Sequence, residues 1–199
     1  MQPVGEALVV KSRSVVFFSR LSVPLTRFSA FVLLAAVPLL CIPRMSDIVP
    51  QSMAPAVLEQ FLHAKIPLTA AMGIRVIQTG PRRLVLEAPL EPNVNHLGSV
   101  FGGALHALPT LACYAALWTL LVEAGVDGHV VVKQSYAKYA QPVRNTFRAS
   151  CERPPPGIAA EFIDDLRRFK KARMDLESII EGTAGKPAVE FHGSFVAVV

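Results

Sequence analysis

Residues 93–124 bring together side chains that could handle a polarised carbonyl: Asn95, His96, the Gly102-Gly103 pair, His106, Thr110 and Cys113. Turn formers open this stretch, and a long apolar run follows the glycines. Backbone N–H groups at a helix start have no partner within the helix. With the positive end of the helix dipole, they suit a carbonyl oxygen or an oxyanion forming during reaction. Each residue also has an ordinary reading. Gly102 and Gly103 could equally serve close helix-to-sheet packing. Asn95 either orients water or a carbonyl with its amide, or holds a turn. Thr110 either holds an attacking water or returns its hydroxyl to its own helix, and a neutral hydroxyl is a poor general base. His106 lies four residues before Thr110, on the same helix face. It could supply the base that Thr110 lacks, or bond to backbone as a buried ring. His96, beside Asn95, is a second candidate base. Cys113 sits in apolar helix with no base nearby in sequence and reads as packing.

The elements that must position these residues follow from spacing. Leu105, Leu108, Leu111, Ala112, Ala115, Ala116 and Leu120 recur at helical intervals among other apolar residues. This predicts one central helix buried nearly all round. Pro109 cannot donate to the carbonyl of Leu105 and is expected to kink the axis, leaving a position for Thr110 or water. Upstream, Val57, Leu58, Phe61 and Leu62 predict a short amphipathic helix over 54–65. A connector ending in Gly73 and a hairpin of 74–77 with 84–88 follow. Downstream come strands at 129–139 and 146–152, a rigid proline loop at 153–157, and an amphipathic helix at 158–171, although DLRRFKKARMDLESII could partly be strand. Two strands close the chain, at 172–181 with Met174, Leu176 and Ile179 or Ile180 inward, and at 188–198. Antiparallel strands around one helix indicate an α+β fold.

Hydrophobic residues make up 52% of the chain and the mean hydropathy is +0.41, which calls for a membrane segment or a large dry core. The net charge is +5, but Lys11, Arg13, Arg20, Arg27 and Arg44 against Glu6 leave +4 within residues 1–44. The pI of 9.4 therefore belongs mostly to that segment and gives no ground for a nucleic-acid partner. Cys41, Cys113 and Cys151 are widely spaced, which fits a reducing, cytoplasmic setting better than a disulfide framework or zinc site. Residues 1–44 have the basic-then-apolar layout of a secretory signal. The apolar run is short for a membrane span, which needs about 20 residues, and Pro38 interrupts it. These residues read as a signal-like leader or a mis-assigned start before Met45, and residues 45–199 as one domain. A membrane enters only if the leader is real. No GxSxG, HExxH or P-loop is present in the sequence.

The element order, with IPLTAAMGI, APLEPNVNHLGSVFGGALHAL, VVVKQSYAKYAQPV and the final FHGSFVAVV, resembles the hotdog fold over about residues 55–199. In that fold an antiparallel sheet curls around one long central helix. The chain is most similar to the putative thioesterase domain at the C-terminus of YiiD-type proteins, in the phenylacetyl-CoA thioesterase-like superfamily. Enzymes of the phenylacetyl-CoA type carry an Asn, then His-Gly-Gly opening the helix, and an acid two turns further on. Asn95, Gly102 and Gly103 fit that pattern. Phe101 stands where the His would be and Thr110 where the acid would be, departures the YiiD-type group shares. The resemblance thus implies hydrolysis of an acyl thioester without carrying over a carboxylate mechanism.

On this reading Asn95, Gly102, Gly103 and Thr110 are the candidate catalytic residues. His96, Phe101, Leu105, His106 and Tyr114 are candidates for binding substrate, with Phe101, Leu105 and Tyr114 along an acyl tunnel. The expected substrate is an acyl-CoA or acyl-carrier-protein thioester. No metal or separate cofactor is expected, since coenzyme A enters as part of the substrate. The resemblance also implies a homodimer or dimer of dimers with sites shared across the interface. Two alternatives are a non-catalytic acyl-thioester binding module and a hydratase or dehydratase; the latter wants an Asp–His pair that the sequence does not place. The basic run Arg167, Arg168, Lys170, Lys171 and Arg173 is either a solvated helix face or a contact for coenzyme A phosphates.

Overall fold

A computed structural model describes residues 53–199; the segment read as a leader lies outside them. In chain order the elements are α1 (Pro55–Lys65), α2 (Pro67–Ala71), β1 (Arg75–Thr79), β2 (Arg83–Ala88), α3 (Gly102–Glu123), β3 (His129–Tyr139), β4 (Phe147–Glu152), α4 (Pro156–Phe169), β5 (Lys171–Glu181) and β6 (Pro187–Val198). The strands form one six-stranded sheet in the order β1-β2-β4-β5-β6-β3, with every neighbouring pair antiparallel. Helix α3 packs against β2, β3, β4, β5 and β6, so the sheet wraps it. This is the hotdog architecture: a mixed α+β fold with one long helix as its axis.

The core forms where the apolar faces of these elements meet on α3. Leu58 and Leu62 of α1, Leu84 and Leu86 of β2, and Phe191 and Phe195 of β6 join Leu108, Ala112 and Leu117 in one buried cluster. Strand β5 alternates strictly. Ala172, Met174, Leu176, Ser178 and Ile180 are buried, and the residues between them face out. Ile180 is thus the inward residue of its pair, and Ile179 is 45% exposed.

Two loops expected from the sequence hold helix instead. The connector after α1 contains α2, and α4 begins inside the proline loop. Both helices start on a proline, whose fixed φ suits a first helical turn and whose missing N–H costs nothing there. Lys170, with a φ of 61°, ends α4 and turns the chain into β5.

Helix α3 has the length and apolarity to cross a membrane, but most of it is covered by the protein's own sheet. Its cover is incomplete along one line. His106, Thr110, Tyr114 and Trp118, each four residues on, are only half-buried. Near the end of that line Trp118 stacks on Phe61, with ring centroids 3.7 Å apart. At the C-terminal end, Arg153 holds Glu123 by two bonds of 2.9 and 2.7 Å, tying the loop before α4 to α3.

Candidate active site

The loop that delivers the chain into α3 is built on two asparagines. Asn93 is buried, and its amide Nδ2 donates to the carbonyls of Met72 (2.9 Å) and Pro89 (2.8 Å). Its own carbonyl accepts the N–H of Phe101 at 2.7 Å. Asn95 closes a tight turn. Its Oδ1 accepts from the N–H of Leu97 (2.8 Å) and of Ser99 (3.2 Å), and its Nδ2 donates to Ser99 Oγ at 3.0 Å. Gly98 supplies the left-handed residue this turn needs, with a φ of 68°. The loop is clamped from the side, where Val100 N–H donates to Val143 O at 2.7 Å and Arg144 Nη1 to Leu97 O at 3.0 Å.

The helix that follows starts without a cap. Phe101 is the N-cap residue and offers no side-chain bond; its carbonyl accepts from Leu105 N–H at 3.0 Å. The N–H groups of Gly102 and Gly103 have no acceptor among the described residues, and both glycines are exposed. The first turn therefore presents free donors to whatever lies in front of it. A Cβ at Gly102 would meet open space, whereas one at Gly103 would collide with the ring of Phe101. Gly103 is thus the seat of that ring, which is 59% exposed.

One turn further on, His106 reaches strand β3. Its Nε2 lies 3.0 Å from Ser135 Oγ and its Nδ1 3.3 Å from Tyr139 Oη. The ring stands edge-on to Phe191, with centroids 5.3 Å apart. A bulge makes this meeting possible. The pairing of β3 with β6 runs Val132↔Phe195 and then Gln134↔Ser194, so Lys133 is an extra residue. Side chains alternate across a strand, and Val130 is buried. An unbroken strand would turn Gln134, Tyr136 and Lys138 toward α3. The extra residue reverses the faces and turns in Ser135 and Tyr139. Sequence reasoning missed these two residues and Asn93. For β3 the visible signal is Val130-Val131-Val132 followed by Lys133-Gln134, which breaks alternation; nothing marks Asn93.

The remaining sequence candidates resolve as follows. Asn95 spends its side chain on the turn. Thr110 Oγ1 donates to His106 O at 2.8 Å, the ordinary reading of a helical threonine, and does not occupy the place opened by Pro109 at the Leu105 carbonyl. His96 is exposed on the loop tip, Leu105 is a core residue at 5% exposure, and Tyr114 is half-buried, with its phenol pKa raised by burial. Burial, and then the neighbouring Cys151 thiol, push the Cys113 pKa well above its ordinary value, which suits a packing residue and not a nucleophile. Two residues of the basic run have local partners: Arg167 Nη2 donates to Ala124 O at 2.8 Å, beyond the last turn of α3, and Arg173 Nε to Ser194 Oγ at 2.7 Å. A recess of about 540 Å³ lies beside the clamped loop and not at the helix start; Gln141, Arg144, Asn145, Arg148 and Thr183 line part of it.

The fold and the sequence have counterparts among known proteins. A protein of unknown function from Chlorobaculum tepidum TLS is 31% identical, with a TM-score of 0.70 over 74% of this chain and 98% of its own. The putative thioesterase from Shewanella oneidensis is 27% identical, with a TM-score of 0.66 over 73% of this chain and 97% of its own. A probable thioesterase from Pseudomonas aeruginosa shares the fold at 18% identity and a TM-score of 0.62, over 75% of this chain and 98% of its own. The family described as "Putative thioesterase (yiiD_Cterm)" matches residues 55–199, and the chain belongs to it.

Proposed function

We propose that the protein hydrolyses an acyl thioester carried on coenzyme A or on an acyl carrier protein, with the thioester carbonyl bound at the first turn of α3. The observation that carries this reading is the pair of unsatisfied N–H groups at Gly102 and Gly103, exposed at the uncapped start of a helix. Family membership supports the thioester as the bond attacked. When the carbonyl carbon is attacked, negative charge grows on its oxygen. Fixed N–H donors stabilise that charge, and losing one such donor costs about 10²–10³ in rate. Asn93 and Asn95 hold the loop that aims these donors. The acyl chain runs along the half-buried line from His106 past Thr110 and Tyr114 toward Trp118, and the exposed ring of Phe101 flanks the entrance.

The protein acts as a homodimer on this reading. Strand β3 is an edge of the sheet and exposes Val131, Val132 and Tyr136 together with its unpaired backbone groups. Such an edge invites a second strand, and a second copy joined there would close the open side of the His106 line.

The committed hydroxyl of Thr110 favours one second reading, an acyl-thioester binding module without turnover. Thiol release from a panel of acyl-CoA esters separates the two. Release supports the hydrolase, and binding without release selects the module.

A further inference from the structure

Resting on the hydrolase reading, the geometry points to Ser135 as the nucleophile and His106 as its base, with Tyr139 positioning the imidazole. Three groups stand in a row: Ser135 Oγ, His106 Nε2 at 3.0 Å, and Tyr139 Oη at 3.3 Å from His106 Nδ1. A weak hydroxyl nucleophile needs a base within hydrogen-bond reach and a third group that fixes the base. A neutral imidazole has one accepting nitrogen and one N–H. With Ser135 Oγ–H donating to Nε2, the Nδ1–H donates to Tyr139. The tyrosine takes the orienting place that a carboxylate holds in other such arrangements.

The position of the pair relative to the free amides follows from helix geometry. His106 is four residues beyond Gly102 and three beyond Gly103, so it shares their face. A helical side chain slants toward the N-terminus and lies over the preceding turn. The imidazole, with Ser135 at 3.0 Å from its Nε2, therefore leans toward the turn whose N–H groups are unsatisfied. Opposite Ser135 in the sheet is Gly193. A Cβ there would collide with the rings of Phe191 and Phe195, so the glycine lets both rings close over this part of β6. The imidazole thus stands edge-on to Phe191 of β6, while the bulge in β3 turns Ser135 toward it.

The chemistry proceeds in two steps. Ser135 Oγ attacks the thioester carbonyl carbon while its proton passes to His106 Nε2, and the charge on the carbonyl oxygen is held at Gly102 and Gly103. The C–S bond then breaks, the thiolate takes the proton from His106, and an acyl ester remains on Ser135. Water attacks that ester and gives its proton to His106. The C–Oγ bond breaks, Ser135 regains the proton, and the carboxylic acid leaves.

An alkyl fluorophosphonate, which esterifies activated serine hydroxyls, tests the assignment on the full chain. The expected result is one phosphonyl adduct per chain, mapped to Ser135 by peptide mass and absent from Ser135→Ala and His106→Ala. Thiol release from acyl-CoA falls by about 10²-fold or more in both variants, with thermal melts that match wild type. Tyr139→Phe lowers kcat about tenfold with KM unchanged, a split that a merely structural role would not give. Wild type releasing thiol without labelling at Ser135 overturns the proposal, as does undiminished release by Ser135→Ala. Should a variant fail to fold, labelling of the wild-type protein decides alone. Labelling at Ser135 with no thiol released from any acyl-CoA would instead sink the coenzyme A reading and leave the nucleophile assigned.

Discussion

The ring of Phe101 lies across the α-carbon of Gly103, where any Cβ would collide with it. The two residues therefore set the surface beside the first-turn amides together. Gly103→Ala must drive the ring away. Because the ring is mostly exposed it can swing, so the unfolding free energy should change by less than about 1 kcal/mol. The active surface does change, and kcat/KM for a thioester should fall by about 10- to 100-fold, since a displacement of about 1 Å near the reacting atoms costs on that order. Gly102→Ala, with open space around the added methyl, is the stability control. Wild-type turnover in Gly103→Ala would show that the ring's seat has no bearing on the site.

Asn95 discriminates between a turn and a catalytic amide. Its Oδ1 holds two loop N–H groups, a duty a carboxylate also performs. Asn95→Asp should keep both the melt and most of the turnover, whereas Asn95→Ala loses the turn and about 1–2 kcal/mol in urea titration. An Asp variant that folds normally but has lost its turnover would mean that the amide touches substrate.

The Arg153–Glu123 pair is nearly closed to solvent, with side chains 7% and 14% exposed. Removing one partner strands the other charge. Arg153→Met should cost about 3–5 kcal/mol, and Arg153→Met with Glu123→Leu should recover most of it. Chemical denaturation of the two variants checks this. Equal losses in both would mean that the apolar replacements pack badly, and that packing and not charge sets the cost.

The exposed edge of β3 predicts a dimer at micromolar concentration in sedimentation equilibrium. Val131→Asp combined with Tyr136→Asp should shift it to monomer, because like charges then face each other across the joined edges. A wild-type protein that stays monomeric across the concentration range would remove the dimer.

What the sequence makes legible follows from which interactions are local. The long apolar run of α3 is set by burial nearly all round and the alternation in β5 by burial on one side, so their types can be read from composition and spacing. Ile180 against Ile179 could not be, because both are apolar and only the register with Val189 of β6 separates them. Helix α2 was hidden because its five residues are too few to show a helical period. At the site, Gly102 and Gly103 stand out by type. Ser135 and Tyr139 do not, since the extra residue Lys133 decides which face they take, and His106 meets them only through packing between distant segments. For Asn95 and Thr110 the sequence left two readings each, and the structure commits both side chains to local backbone or turn bonds.

The most direct test is thiol release from a panel of acyl-CoA esters of increasing chain length by the full-length protein, followed continuously with a thiol-reactive dye. If the first turn of α3 binds and polarises a thioester carbonyl, at least one ester gives enzyme-dependent, repeated release of free coenzyme A with equimolar fatty acid. Saturable binding of the same esters with no thiol appearing above the spontaneous rate would contradict the account and leave a module that holds acyl thioesters without cleaving them.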